Sequence, residues 1–177
     1  MENKKSIFQR AGEWGIPFGL YLACAAMTYI FGDYFQPLSL LFIVMCVCVP
    51  MVVYFFQRRK FIEDDGFTEY AGLWMLGIML FLLGTLVASF IVYLVLQHVR
   101  PTFMYDQAQV IIDTSKQVPG VIDNELLQII KRMVDEKLMP SPIEIVMSMY
   151  WLVTFMGSLI SAITAFIAHR TINRRRK

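Results

Sequence analysis

Long apolar runs separated by short polar clusters make up this chain. A helix that crosses a membrane needs about 20 mostly apolar residues. Four segments meet that need, at about 14–31, 38–56, 70–97 and 143–168. Lipid offers no partner to an unpaired backbone group, so each is predicted to be an α-helix. The pattern therefore predicts an all-α polytopic membrane protein with four transmembrane helices, forming one domain over residues 1–177. The first run follows Lys4, Lys5 and Arg10 and reaches Ala23-Cys24, which resembles a lipoprotein cleavage site. Tyr21 stands where such a site carries Leu, and AAMTYIF continues the apolar run, so an uncleaved helix is expected.

Local signals sharpen these helices. Pro37 opens the second span, where its missing N–H costs nothing. Pro50, inside it, removes the bond to the Cys46 carbonyl and predicts a kink. Ser141-Pro142-Ile143-Glu144 reads as a capping box with Pro at the first helical position. Trp14, Tyr70, Trp74, Tyr150 and Trp151 lie near span ends, where amphipathic rings suit the headgroup zone. Small residues recur every four positions at Gly15, Gly19 and Ala23, and again at Gly157, Ser161 and Ala165. Such columns let helix backbones approach closely, and packing within one chain is the expected use.

The long polar segment, about 98–142, is predicted to be partly helical. In DNELLQIIKRMVDEKL, residues Leu126, Leu127, Ile130, Met133, Val134 and Leu138 share one helical face, with Asp123 placed to cap it. A shorter helix over Tyr105 to Thr114 precedes the Pro119-Gly120 turn. The apolar face either packs on the bundle or the membrane surface, or docks an envelope partner.

Composition agrees with the pattern. Hydrophobic residues are 57% and charged residues 17%, against about 45–50% and about 25% in soluble domains. A net charge of +2, with no basic stripe interleaved with aromatics, argues against nucleic acid. Lys and Arg set orientation. Lys4, Lys5 and Arg10 precede the first span, Arg58, Arg59 and Lys60 follow the second, and Arg174, Arg175, Arg176 and Lys177 follow the fourth. Both termini and the loop carrying Arg58 are thus expected in the cytoplasm, and the 98–142 segment outside it.

Candidate chemistry is sparse. No Asp, Glu, Lys, Arg or His falls at core depth in the four spans, which weighs against proton-coupled transport, intramembrane metalloprotease chemistry and a charged ion pathway. Cys46 and Cys48 point to nearly opposite sides of a helix, so neither they nor Cys24 suggest a metal site, and burial as small apolar residues is expected. Met75 and Met79 could face one another as soft ligands for Cu(I), but without a His or Cys cluster they read better as packing. No catalytic, cofactor or metal residues are assigned, and an enzyme is not expected. Asp64, Asp65 and Glu69 in DDGFTEYAGLWMLG suit a helix start, with Asp65 or Gly66 as cap and Glu69 in the first turn.

GFTEYAGLWMLG, RPTF and GSLISAITAFI, in this order along four spans with a helical loop, resemble the domain of unknown function 4199 family. The resemblance implies a small four-helix integral membrane protein of the bacterial inner membrane, of a type abundant in Bacteroidetes. It brings no catalytic or binding residues with it. The expected role is a non-enzymatic accessory or scaffold subunit of the cell envelope, with the lipid bilayer and an envelope protein as partners. A small oligomeric transporter or channel is the alternative, and lipid or isoprenoid chemistry at the membrane surface ranks third.

Overall fold

The computed structural model of the chain describes residues 6–33, 35–64, 68–117, 123–136 and 138–175. These residues form α1 (Ile7–Ile30), α2 (Gln36–Glu63), α3 (Tyr70–His98), α4 (Phe103–Gln117), α5 (Asn124–Asp135) and α6 (Pro142–Arg175), with no strand among them. They group into two compact units, one of Met1–Val92 with Met147–Lys177 and one of Tyr93–Val146.

In the larger unit the helices alternate in direction. Arg10, near the start of α1, meets Glu63 at the end of α2. Gln57 of α2 bonds to Leu73 near the start of α3. Trp74 of α3 donates to the Ser158 carbonyl of α6 at 3.2 Å, and Tyr70 donates to Ala162 at 3.3 Å. Phe18, Val53, Leu80 and Phe81 fill the centre, with Val153 of α6 against them, and Phe18 meets Phe81 edge to face. Toward the other end of α2, Phe61 packs with Leu73, Ala165 and Ala168.

Glycines set how closely these helices approach. A Cβ at Gly19 would lie 2.7 Å from the Gly84 carbonyl oxygen of α3, and one at Gly15 would lie 3.1 Å from Leu83 Cβ. Gly157 of α6 lies against the ring of Phe81, and Gly77 of α3 against Ser161. Lipid supplies no hydrophobic drive between helices, so close contact over small residues is what holds them.

Several helix limits differ from the sequence expectation. α1 starts at Ile7, not near residue 14, because Ser6 and Gln9 form a reciprocal cap: Gln9 N–H donates to Ser6 Oγ at 3.3 Å and Ser6 N–H to Gln9 Oε1 at 3.1 Å. α2 does not end near residue 56 but runs on to Glu63, so Arg58, Arg59 and Lys60 are helical and not a loop. Pairs one turn apart support this extension, Arg59 with Glu63 at 2.9 Å and Lys60 with Asp64 at 2.7 Å. α6 likewise continues to Arg175. Glu69 precedes α3 and is not within its first turn; its carbonyl accepts from Leu73 N–H at 3.2 Å. Asp65 and Gly66, the expected caps, lie outside the described residues. The cysteines are not core residues: Cys24 and Cys46 are exposed and Cys48 is half-buried, because they fall off the packed faces of their helices, Cys24 between buried Ala23 and Ala25.

Both helices of α2 and α6 begin as their prolines suggest. Pro37 sits in the first turn of α2, and Glu144 Oε2 accepts from Ser141 N–H at 2.8 Å at the start of α6. α2 passes through Pro50, and Tyr21 of α1 donates to the Met45 carbonyl at 2.6 Å, one residue before the carbonyl that Pro50 leaves without its helical partner.

The smaller unit holds α4 and α5. Arg100, Pro101 and Thr102 lead into α4, where the Arg100 guanidinium pairs with Asp106 at 3.1 Å and lies 5.4 Å from the Phe103 ring. Phe103, Ala108 and Ile112 are the buried residues of α4. Asp123 caps α5 by accepting from Glu125 N–H at 3.2 Å.

Candidate functional site

Two polar clusters inside the larger unit stand out against the apolar packing. The first lies where α1 begins and α2 ends, beside Thr68. Arg10 is 7% exposed, Lys60 5% and Asp64 9%. Asp64 accepts from Lys60 at 2.7 Å, from Arg10 at 3.5 Å and from the Thr68 hydroxyl. Arg10 also pairs with Glu63, which in turn takes Arg59. Burial acts to raise the Asp64 carboxyl, but the Lys60 and Thr68 bonds and the charges of Lys60 and Arg10 outweigh it, and the net shift is downward. Asp64 is therefore a charged hub that ties two buried cations from two helices.

The second cluster is one and two turns inward. Gln57 is 1% exposed and Ser161 is fully buried. Gln57 Nε2 lies 3.2 Å from the Leu73 carbonyl, 3.1 Å from the Ser161 carbonyl and 3.0 Å from Ser161 Oγ. Ser161 Oγ donates to the Trp74 carbonyl at 3.1 Å. One amide thus joins α2, α3 and α6, and Gly77 provides the room for it. Gln57 Oε1, Thr85 Oγ1, Thr154 Oγ1 and Arg10 Nε are buried without hydrogen-bond partners among the described residues.

Gly15, Gly19 and Ala23 are buried on α1, the two glycines against α3. Gly157 and Ser161 face α3, and Ala165 is in the Phe61 cluster. Arg58 and Arg59 are exposed, whereas Lys60 is buried in the ion cluster. Arg174 and Arg175 end α6, and Arg176 and Lys177 lie outside the described residues. The α5 face divides in two. Leu127, Ile130 and Val134 are half-buried, while Leu126, Met133 and Leu138 are exposed. Ile129, absent from the sequence-derived face, is 54% exposed and completes that outer edge. No residue of α5 is buried. Met75 is exposed and Met79 half-buried. No group of three or more His, Cys, Asp and Glu able to hold a metal ion occurs among the described residues.

Arg10, Gln57 and Asp64 were not singled out by sequence reasoning as one constellation. Arg10 and Lys60 looked like surface cations, and Gln57 lay just past the expected end of the second span. The signals were present: a Gln directly after the long apolar run of α2, and Lys60 one helical turn before Asp64.

Helices of this length and apolarity define a helical membrane protein. Pro37–Glu63, Tyr70–His98 and Pro142–Arg170 are each long and apolar enough to cross a bilayer. The chain belongs to the family described as Protein of unknown function (DUF4199), whose family model matches residues 13–170. This establishes the resemblance carried by GFTEYAGLWMLG, RPTF and GSLISAITAFI. No curated protein and no solved structure matches the chain.

Proposed function

We propose that this protein is a non-enzymatic accessory or scaffold subunit of a bacterial inner membrane, binding an envelope partner through the outer edge of α5. α1 is its fourth span: it is less apolar than the other three, but Gly15 and Gly19 seat it against α3 as closely as a membrane bundle requires. Both termini and the end of α2 face the cytoplasm, and α4 and α5 lie on the other side.

The observation that carries the reading is a contrast. The larger unit uses its small residues and polar side chains on its own seams, at Gly15, Gly19, Gly77, Gly157 and Ser161. α5 leaves Leu126, Ile129 and Met133 exposed as one apolar edge. Exposed apolar edges rimmed by polar residues mark interaction surfaces. A photo-crosslinking residue at Ile129 is expected to give one discrete protein adduct in native membranes, lost when Leu126 and Met133 are changed to Ser. Adducts with lipid alone, or the same pattern from position 127, would overturn the docking role.

A small oligomeric transporter or channel is the second reading. It is favoured by the unpartnered Gln57, Thr85 and Thr154 oxygens, which are polar groups inside the bundle that a solute could engage. Solute flux in liposomes carrying the purified chain separates the two, and the accessory reading expects none.

A further inference from the structure

We propose that the end of α2 holds an anionic phospholipid, with its phosphate on Arg58 and an acyl chain along Phe55. Phe55, Arg58, Arg59, Ile62 and Glu63 line an open cleft of about 200 Å³. They recur at helical spacing, so one face of α2 builds it. Phe55 and Ile62, 60% and 56% exposed, give the cleft its apolar surface, and Arg58, Arg59 and Glu63 complete its lining.

The charges in this cleft are unequal. Glu63 is taken by Arg10 and Arg59. Arg59 is further held over the Trp14 ring, 5.5 Å from its centroid, and Trp14 stacks on Phe56 at 5.4 Å. Arg58 has no partner among the described residues and is exposed. The cleft therefore presents one uncompensated cation beside an apolar wall. A guanidinium matches phosphate oxygens in a forked geometry, which an ammonium does not. Trp14 supplies the headgroup-level anchor. A ligand with one negative phosphate and an apolar chain complements both parts, and a phospholipid such as phosphatidylglycerol has that chemistry. The inference requires that α2 crosses the bilayer and is independent of any partner at α5.

The test is native mass spectrometry of the purified full chain, titrated separately with phosphatidylglycerol, phosphatidylcholine and inorganic phosphate. Phosphatidylglycerol is expected to bind at least about 5-fold more tightly than phosphatidylcholine, a difference of about 1 kcal/mol. Arg58→Gln should abolish that preference, and Arg170→Gln, which removes an equal charge on α6, should keep it. Circular dichroism of both variants confirms that they are folded, which an exposed and unpartnered Arg58 permits. Equal affinity for the two lipids, equal losses in the two variants, or binding of inorganic phosphate as tight as that of phosphatidylglycerol would each overturn the proposal.

Discussion

Gly77→Ala is expected to destabilise the bundle by about 3–5 kcal/mol, the sum of overpacking and a disrupted buried bond network. A Cβ at this position would overlap Ser161 Oγ and lie 2.7 Å from Ser161 Cβ and 2.8 Å from Gln57 Nε2. None of these atoms can retreat cheaply. Ser161 Oγ is committed to the Trp74 carbonyl, and Gln57 Nε2 to acceptors on α3 and α6. Moving Gln57 away leaves a second buried amide atom unsatisfied beside the unpartnered Oε1. The measurement is the unfolding midpoint in detergent, with proteolytic resistance as a second readout. Adding Ser161→Ala should restore part of the loss, since it removes the atom that the new methyl meets while giving up a hydrogen bond. Wild-type stability of Gly77→Ala would mean that the seam between α3 and α6 is looser than the distances require.

Asp64→Ala is expected to cost a comparable amount, about 3–5 kcal/mol, because it leaves Arg10 and Lys60 buried without their shared carboxylate. The loss should exceed that of Glu63→Ala, since Glu63 is more exposed than Asp64 and only the Asp64 change also strips buried Lys60 of its carboxylate; Arg10 keeps one partner in either case. Asp64 also brings a pH dependence. Its folded pKa lies below the ordinary value, so the unfolded chain binds more protons in the window below about pH 4. The stability from this group is present above that value and is lost as pH falls through the folded pKa. Unfolding midpoints measured from neutral to acid pH should therefore fall in the wild type, with the Asp64 share of that fall missing in Asp64→Asn. An unchanged acid response in Asp64→Asn would show that Asp64 is not the hub.

The helices were largely legible because the bilayer imposes one rule on every span: a long apolar run with its backbone paired internally. Spans at about 70–97 and 143–168 fall within α3 and α6. Their ends were less legible because helices do not stop where hydrophobicity does. Ser6 with Gln9, and Arg59 with Glu63, hold helical turns together in polar sequence. The small-residue spacing at Gly15 and Gly157 could be read, but not the residues opposite them, since Gly84 and Phe81 are distant in sequence. For the same reason the ion cluster was hidden. Arg10 and Asp64 are 54 positions apart, and the 104 positions between Gln57 and Ser161 leave no local trace of their bond. On α5, helical periodicity identified an apolar face but could not say which edge α4 leaves open.

The proposed orientation of the termini and of α5 depends on α1 crossing the membrane with the other three long helices. Single cysteines placed at Ser6, Asp33, Glu63 and Asp123, in a chain with Cys24, Cys46 and Cys48 changed to Ser, test this by labelling with a membrane-impermeant maleimide. In right-side-out vesicles the account expects positions 33 and 123 to label, and positions 6 and 63 to label only after the vesicles are opened. Labelling of positions 6 and 33 from the same side would contradict it.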